Sequence, residues 1–145
     1  MNKNTETALS ILKKENLTLV LFNGEETLKS EKRGVAALLE LYGEGKNLSG
    51  FCAADRVVGK GAAVLFSALR VNEVYAEVMS RDAMEILTEN SVRFSCGKTV
   101  ESILNRNGTD LCPIEKAVGG ERNLEKAAAL IRERVRTLFA EVQNG

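Results

Sequence analysis

Short strand-like and helix-like runs alternate along most of the chain, and this alternation constrains the fold more than any other feature of the sequence. Residues 17–22 are rich in β-forming side chains and end at Asn23-Gly24, the dipeptide preferred in tight hairpin turns. The runs that follow are a polar return strand 26–30, helix 35–42, strand 50–55, helix 57–71, strand 73–79, helix 80–90, strand 92–96 and a helix entered at Pro113. This order predicts an α/β fold with parallel strands and helices on both faces, a three-layer α-β-α sandwich.

The length of the chain, 145 residues, predicts a single domain over 1–145 that is large enough to bury a core. The alternating runs place its core at about 17–118. An amphipathic helix over 5–16 precedes that core, and a second one over 121–142 follows it. Both flanking helices are expected to be additions to the central sandwich.

The charge balance and the distribution of apolar residues exclude several partners. Twenty basic residues against twenty acidic ones give no net charge, which argues against binding to nucleic acid. No secretory leader opens the sequence and no apolar run is long enough to span a membrane. We therefore expect a cytoplasmic protein. The three cysteines, an odd number, are then expected to be reduced thiols.

The sequence contains no histidine. This absence excludes Ser-His-Asp and Cys-His catalysis, and it removes the commonest ligand of zinc. Any catalytic chemistry must therefore use other side chains.

A candidate thiol precedes the only proline in the chain. Pro113 is typical of the first position of a helix, which makes Cys112 the N-cap and Glu115 the third helical residue. The positive end of the helix dipole favours a thiolate at such a position. Alternatively, Cys112 is a small buried residue, and the Glu115 carboxylate reaches back to the cap as in a capping box.

A second candidate site is the start of the helix that follows strand 50–55. Gly59, Lys60 and Gly61 leave backbone N–H groups open to an anion such as phosphate, although the spacing is not that of a P-loop. The alternative is that the two glycines permit close packing. Asp55, at the predicted end of the strand, is either a general base, a ribose or lysine partner, or the N-cap of the next helix.

Arg106 lies in the loop before Pro113. It is either a clamp for phosphate or a solvated loop residue.

Three segments together resemble a small prokaryotic family of proteins without assigned function, which is grouped with the cytidine deaminase-like fold. They are GFCAADRVVGKGAAVLF, VYAEVMS and ILNRNGTDLCPIEKAV, and the resemblance covers residues 17–118. It implies a mixed, roughly five-stranded sheet that opens with a hairpin. Zinc deaminases carry a His-x-Glu or Cys-x-Glu motif at one helix start and Pro-Cys-x-x-Cys at another. Here residues 58–62 supply no ligand and residues 112–116 supply one thiol, so we expect no zinc and no zinc-dependent deamination.

Three functional hypotheses follow, and no cofactor is certain in any of them. In the first, a metal-free deaminase-like domain binds a nucleotide or another phosphate-bearing, ADP-ribose-like ligand between two helix N-termini. The ligand-binding residues would be Gly59, Lys60, Gly61, Arg106 and Cys112. In the second, the chain is a group-transfer enzyme with Cys112 as nucleophile and Asp55, Lys60 or Glu115 assisting. In the third, it is a non-catalytic homo-oligomer with a regulatory or scaffolding role.

Overall fold

The computed structural model describes the backbone of residues 1–144 and the side chains of residues 1–141. Gly145, which the predicted domain includes, lies outside the described residues. The elements are α1 (Lys3–Lys14), β1 (Leu19–Phe22), β2 (Thr27–Ser30), α2 (Ala36–Gly43), β3 (Cys52–Val58), α3 (Lys60–Leu69), β4 (Glu73–Ser80), α4 (Arg81–Glu89), β5 (Arg93–Val100), α5 (Pro113–Val118) and α6 (Leu124–Asn144).

The five strands form one mixed sheet in the order β2-β1-β3-β4-β5. The predicted hairpin is confirmed, since β1 pairs antiparallel with β2, and β1 is also antiparallel to β3. The β3, β4 and β5 strands are parallel to one another, and a helix supplies the crossover connection that each parallel pair needs. The predicted α/β class is therefore confirmed, with helices on both sides of the sheet.

The two faces of the sheet are covered unequally. One face carries α1, whose Ala8 and Leu12 pack on Val20 and Ala54. The other carries the larger core, and α3 is its central helix, because α3 contacts α2, α4, α5 and α6. Nearly every side chain of α3 is buried, as expected for a helix that is apolar on all sides.

The predicted boundary between β3 and α3 is wrong, and the error moves Asp55. Instead of ending at residue 55, β3 continues to Val58, because Val57 and Val58 pair with Val78 and Met79 of β4. The helix then begins at Lys60 with Gly59 as its N-cap. Asp55 is therefore a residue within a central strand, and its predicted alternative role as a helix N-cap is wrong.

Both flanking segments are helical, with ends that differ from the predicted ones. The first spans Lys3–Lys14 instead of 5–16, because the Asn2 side chain caps it by accepting the Thr5 N–H at 2.9 Å. The last spans Leu124–Asn144 instead of 121–142. No helix within the described residues combines the length and the apolarity that crossing a membrane requires.

Candidate functional site

The starts of α3 and α5 lie against each other at the carboxyl end of β3. The N-cap position of Cys112 and the first-turn position of Pro113 are confirmed, although the Cys112 side chain makes no capping hydrogen bond. The α3 and α5 helices are in direct contact. Two stretches that are distant in sequence are therefore brought together, as the first hypothesis requires.

The Glu115 carboxylate connects these two helices. One of its oxygens accepts the backbone N–H of Lys60 at 2.6 Å, and the other accepts that of Gly61 at 3.1 Å. The side chain is buried, and its negative charge lies at the positive end of the α3 dipole. The predicted alternative in which Glu115 caps its own helix is wrong, since its carboxylate caps the neighbouring one.

The two glycines at the start of α3 are required by this close approach. A Cβ atom at Gly59 would lie 2.7 Å from the Glu115 Cδ and 2.8 Å from Cγ1 of Ile103. A Cβ atom at Gly61 would lie 2.5 Å from Cγ2 of Ile114. These distances are too short for any real side chain, so close packing accounts for both glycines.

Lys60 is engaged by the protein through both its backbone and its side chain. Its ammonium group donates to the carbonyl oxygen of Gly119, just after α5, at 3.1 Å. With its N–H bound to Glu115, neither group is directed at a ligand. A phosphate could bind at this helix start only by displacing the Glu115 carboxylate.

A cavity of about 230 Å³, here called the inner cavity, lies beside this joint. It brings together Asp55, Gly59, Cys112 and Glu115 from the predicted candidates. Its apolar wall is formed by Leu19, Val35, Ala37, Leu38, Ile103 and Ile114. An apolar cavity with a few converging polar groups is the usual form of a small-molecule site.

Asp55 is the titratable group best placed to act in the inner cavity. One oxygen of its carboxylate accepts the backbone N–H of Arg56 at 2.7 Å. Burial raises the pKa of Asp55 to about 7, although backbone hydrogen bonds from Arg56 and Val57 and the Arg56 charge oppose this shift. Near neutral pH the carboxyl is therefore present in both its protonated and its ionised form.

A second depression, here called the outer groove, has a volume of about 610 Å³. It shares residues 33–35, Cys112 and Ile114 with the inner cavity, so the two are adjoining compartments. Its floor is largely apolar, with Leu104, Pro113, Val135 and Leu138. Arg106 lies here and not in the inner cavity, while Cys112 is half-buried between the two compartments.

The segment between β2 and α2 lines both compartments, and no sequence pattern predicted a role for it. Lys32 and Arg33 line the inner cavity, and Arg33 also lines the outer groove. The only signal in the sequence is a short charged run before Gly34, and such runs are usually solvated. The position of Lys32 and Arg33 depends on the path that the chain takes from the edge strand β2 to α2, and local sequence does not determine that path.

Within the part of the chain that the structure describes, no group of three His, Cys, Asp or Glu side chains is close enough to hold a metal ion. Cys52 is buried against Asn2 near the start of α1, and Cys96 lies in β5. Neither cysteine lines the inner cavity, so Cys112 is the one thiol there.

Comparison with known proteins gives a family and a structural relative. A family model described as "TM1506: Domain of unknown function (DUF1893)" matches residues 7–135. The crystal structure of a DUF1893 family protein (TM1506) from Thermotoga maritima, determined at 2.70 Å resolution, is similar with a TM-score of 0.82 and 28% sequence identity. That similarity covers 94% of this chain and 92% of the other. No curated protein matches the chain.

Proposed function

This chain belongs to the DUF1893 family, whose function is unknown, and we propose that it binds a small phosphate-bearing ligand of the nucleotide class, with the ring of the ligand in the inner cavity. The observation that carries the proposal is the composition of that cavity. Its wall is apolar, and Asp55 supplies a carboxyl group that is present in both its protonated and its ionised form near neutral pH. Such a group can accept or donate a hydrogen bond at the edge of a heterocyclic ring.

The size of the inner cavity supports a compact ring and not a large ligand. A volume of about 230 Å³ lies below the range of roughly 300–1,000 Å³ for drug-sized ligands. Any larger part of the ligand must extend beyond this cavity. The outer groove is the adjoining space.

We also propose that the fold is cytidine deaminase-like and that its site operates without metal. The opening hairpin and the mixed sheet in the order β2-β1-β3-β4-β5 support this reading. The Glu115 carboxylate joins the starts of α3 and α5, the two stretches where the resemblance would place zinc ligands. This buried carboxylate holds the two helix starts together, as a metal bound by ligands from both would.

A thermal-shift screen with nucleosides, nucleotides and ADP-ribose tests ligand binding. A ligand at about 100 times its Kd should stabilise the fold by about 2.7 kcal/mol, which raises Tm by several degrees. Val57→Trp should abolish the shift, because Val57 lines the inner cavity while remaining 46% exposed. Leu130→Trp, at a comparably exposed position on α6, is the matched control and should keep it. The proposal fails if no compound shifts the wild type, or if both variants respond alike.

The second candidate function is group transfer by Cys112. The observation in its favour is that Cys112 and Asp55 line the same cavity, where Asp55 has a pKa suited to a general base near neutral pH. Lys60 and Glu115, the other predicted assisting groups, are engaged with Gly119 and with the start of α3. Asp55 is therefore the remaining acid–base partner.

A further inference from the structure

Four cationic side chains line the inner cavity and the outer groove, and two of them are already engaged. They are Lys32, Arg33, Arg56 and Arg106. Lys32 is paired with Glu40. Arg56 is paired with Glu77 and donates to the carbonyl oxygens of Leu12 and Leu17 at 3.0 and 2.9 Å. Neither side chain is available to a ligand without breaking these contacts.

Arg33 and Arg106 are different. Among residues 1–141, whose side chains are described, no carboxylate lies within ion-pair distance of either guanidinium. Both side chains are exposed and both line the outer groove. They come from separate segments, one between β2 and α2 and the other between β5 and α5. Two cationic side chains without acidic partners around one groove favour an anion there.

The floor of the groove adds to this effect. The groove that the two arginines line also includes apolar surface from Leu104, Pro113, Val135 and Leu138, and Leu104 is 52% exposed. Charge–charge attraction is stronger next to apolar surface than in bulk water, because the local dielectric constant is lower. The groove also shares Arg33, Cys112 and Ile114 with the inner cavity, so one small molecule can occupy both.

We propose that the phosphate of the ligand binds in the outer groove between Arg33 and Arg106, and not at the start of α3. This inference rests on the proposed function, because it assigns the outer groove to the same molecule whose ring enters the inner cavity. It specifies the ligand as a phosphorylated nucleoside, with the sugar crossing from one compartment to the other at Cys112. The start of α3 cannot take the phosphate while the Glu115 carboxylate occupies its N–H groups.

Isothermal titration with matched pairs of probes tests the inference. The probes are adenosine, guanosine, cytidine and uridine, each compared with its 5′-monophosphate. In the wild type the monophosphate should bind more tightly than its nucleoside. Arg33→Gln and Arg106→Gln should each weaken monophosphate binding roughly tenfold. Arg106→Gln should also leave nucleoside binding unchanged, because Arg106 does not line the inner cavity. Arg93→Gln, an exposed arginine at the start of β5 that lines neither compartment, is the control and should change neither affinity.

The two proposals fail in distinguishable ways. Equal affinity for nucleoside and monophosphate, or an unchanged monophosphate affinity in both arginine variants, overturns the phosphate site while nucleoside binding still supports the inner cavity. The phosphate site is also overturned if Lys60→Gln loses the preference for monophosphate while Arg33→Gln and Arg106→Gln both keep it. If the wild type binds none of the nucleosides and none of the monophosphates, both the proposed ligand site and the proposed phosphate site are wrong. Unchanged Tm values of the unliganded variants establish that the fold is intact.

Discussion

One carboxylate oxygen of Glu115 accepts the backbone N–H of Lys60 at 2.6 Å, across 55 positions of sequence. The partner oxygen accepts the N–H of Gly61, so a single side chain satisfies two donors at the first turn of α3. Nothing local to α3 can do this, because its N-cap is Gly59, which has no side chain. This contact connects α5, which supplies Ile114 and Glu115 to the inner cavity, directly to α3.

Glu115→Ala should therefore lower the free energy of unfolding by about 2–5 kcal/mol, because two backbone N–H groups at a buried helix start lose their acceptor. Glu115→Gln should cost less, about 1–2 kcal/mol, since its amide keeps one acceptor oxygen. Urea denaturation measures both values. Glu85→Gln, at an exposed position of α4, is the control and should be near neutral. Equal stability of Glu115→Ala and the control would contradict the capping role.

Gly59→Ala should destabilise the fold by about 1–3 kcal/mol, because its Cβ would overlap the Glu115 carboxylate and Ile103. The backbone of Gly59 is extended, with φ of −106°, so alanine adds no conformational strain there. Gly120→Ala is the matched control, since its Cβ would meet no atom within 4 Å. Thermal and urea unfolding compare the two. A Gly59→Ala variant as stable as Gly120→Ala would show that the helix starts are not closely packed.

Asp55 should make the stability of the protein depend on pH. The pKa of Asp55 is about 7 in the folded protein, against an ordinary value of 3.8 for the unfolded chain. Between these two pH values the carboxyl is ionised in the unfolded state and still largely protonated in the folded state. The free energy of unfolding should therefore fall as pH rises from about 4 to about 7. Full burial would make the fall as large as ~4 kcal/mol, and the partial exposure of the side chain reduces it. Above pH 7 this contribution is constant.

Asp55→Asn should remove that slope. The absence of histidine leaves few other groups to titrate near pH 6–7, so the difference between wild type and variant isolates Asp55. Urea titrations at several pH values measure it, with Glu85→Gln as an exposed control. Parallel pH profiles for wild type and Asp55→Asn would contradict the raised pKa.

Cys112 should be alkylated in the folded protein much faster than Cys52, which is buried. Iodoacetamide labelling at neutral pH, followed by mass spectrometry of peptides, gives the rate for each thiol. Group transfer by Cys112 further requires that it react faster than Cys96, which is similarly exposed. Cys112→Ser provides the background rate. Equal labelling of Cys96 and Cys112 would remove the nucleophile hypothesis while leaving ligand binding intact.

Metal removal should leave the protein unchanged. Chelation with EDTA is expected to shift Tm by less than a degree, because the described residues contain no group of three metal-ligating side chains. Elemental analysis of purified protein is the direct measurement. One zinc per chain would contradict the metal-free site.

The class of the fold could be predicted from sequence because periodicity reports burial directly. The hairpin at Asn23-Gly24, the alternation of strands and helices and the Pro113 helix start were predicted correctly. The boundary at β3 was not, because residues 56–58 fit either the end of a strand or the start of a helix, and pairing with β4 decides between them. Asp55 therefore lies in mid-strand.

The sequence was sufficient to predict an α/β domain with two candidate helix starts, a thiol at the second of them and no histidine for conventional catalysis. The role of those helix starts depends on how the elements pack together. In the folded protein the Glu115 carboxylate accepts hydrogen bonds from the first amides of α3, and the Lys60 ammonium group donates to the Gly119 carbonyl oxygen. Arg33, which follows the edge strand β2, lines the same groove as Arg106. The physical reason is that periodicity encodes which face of an element is buried, whereas hydrogen bonds between distant elements depend on where packing places them.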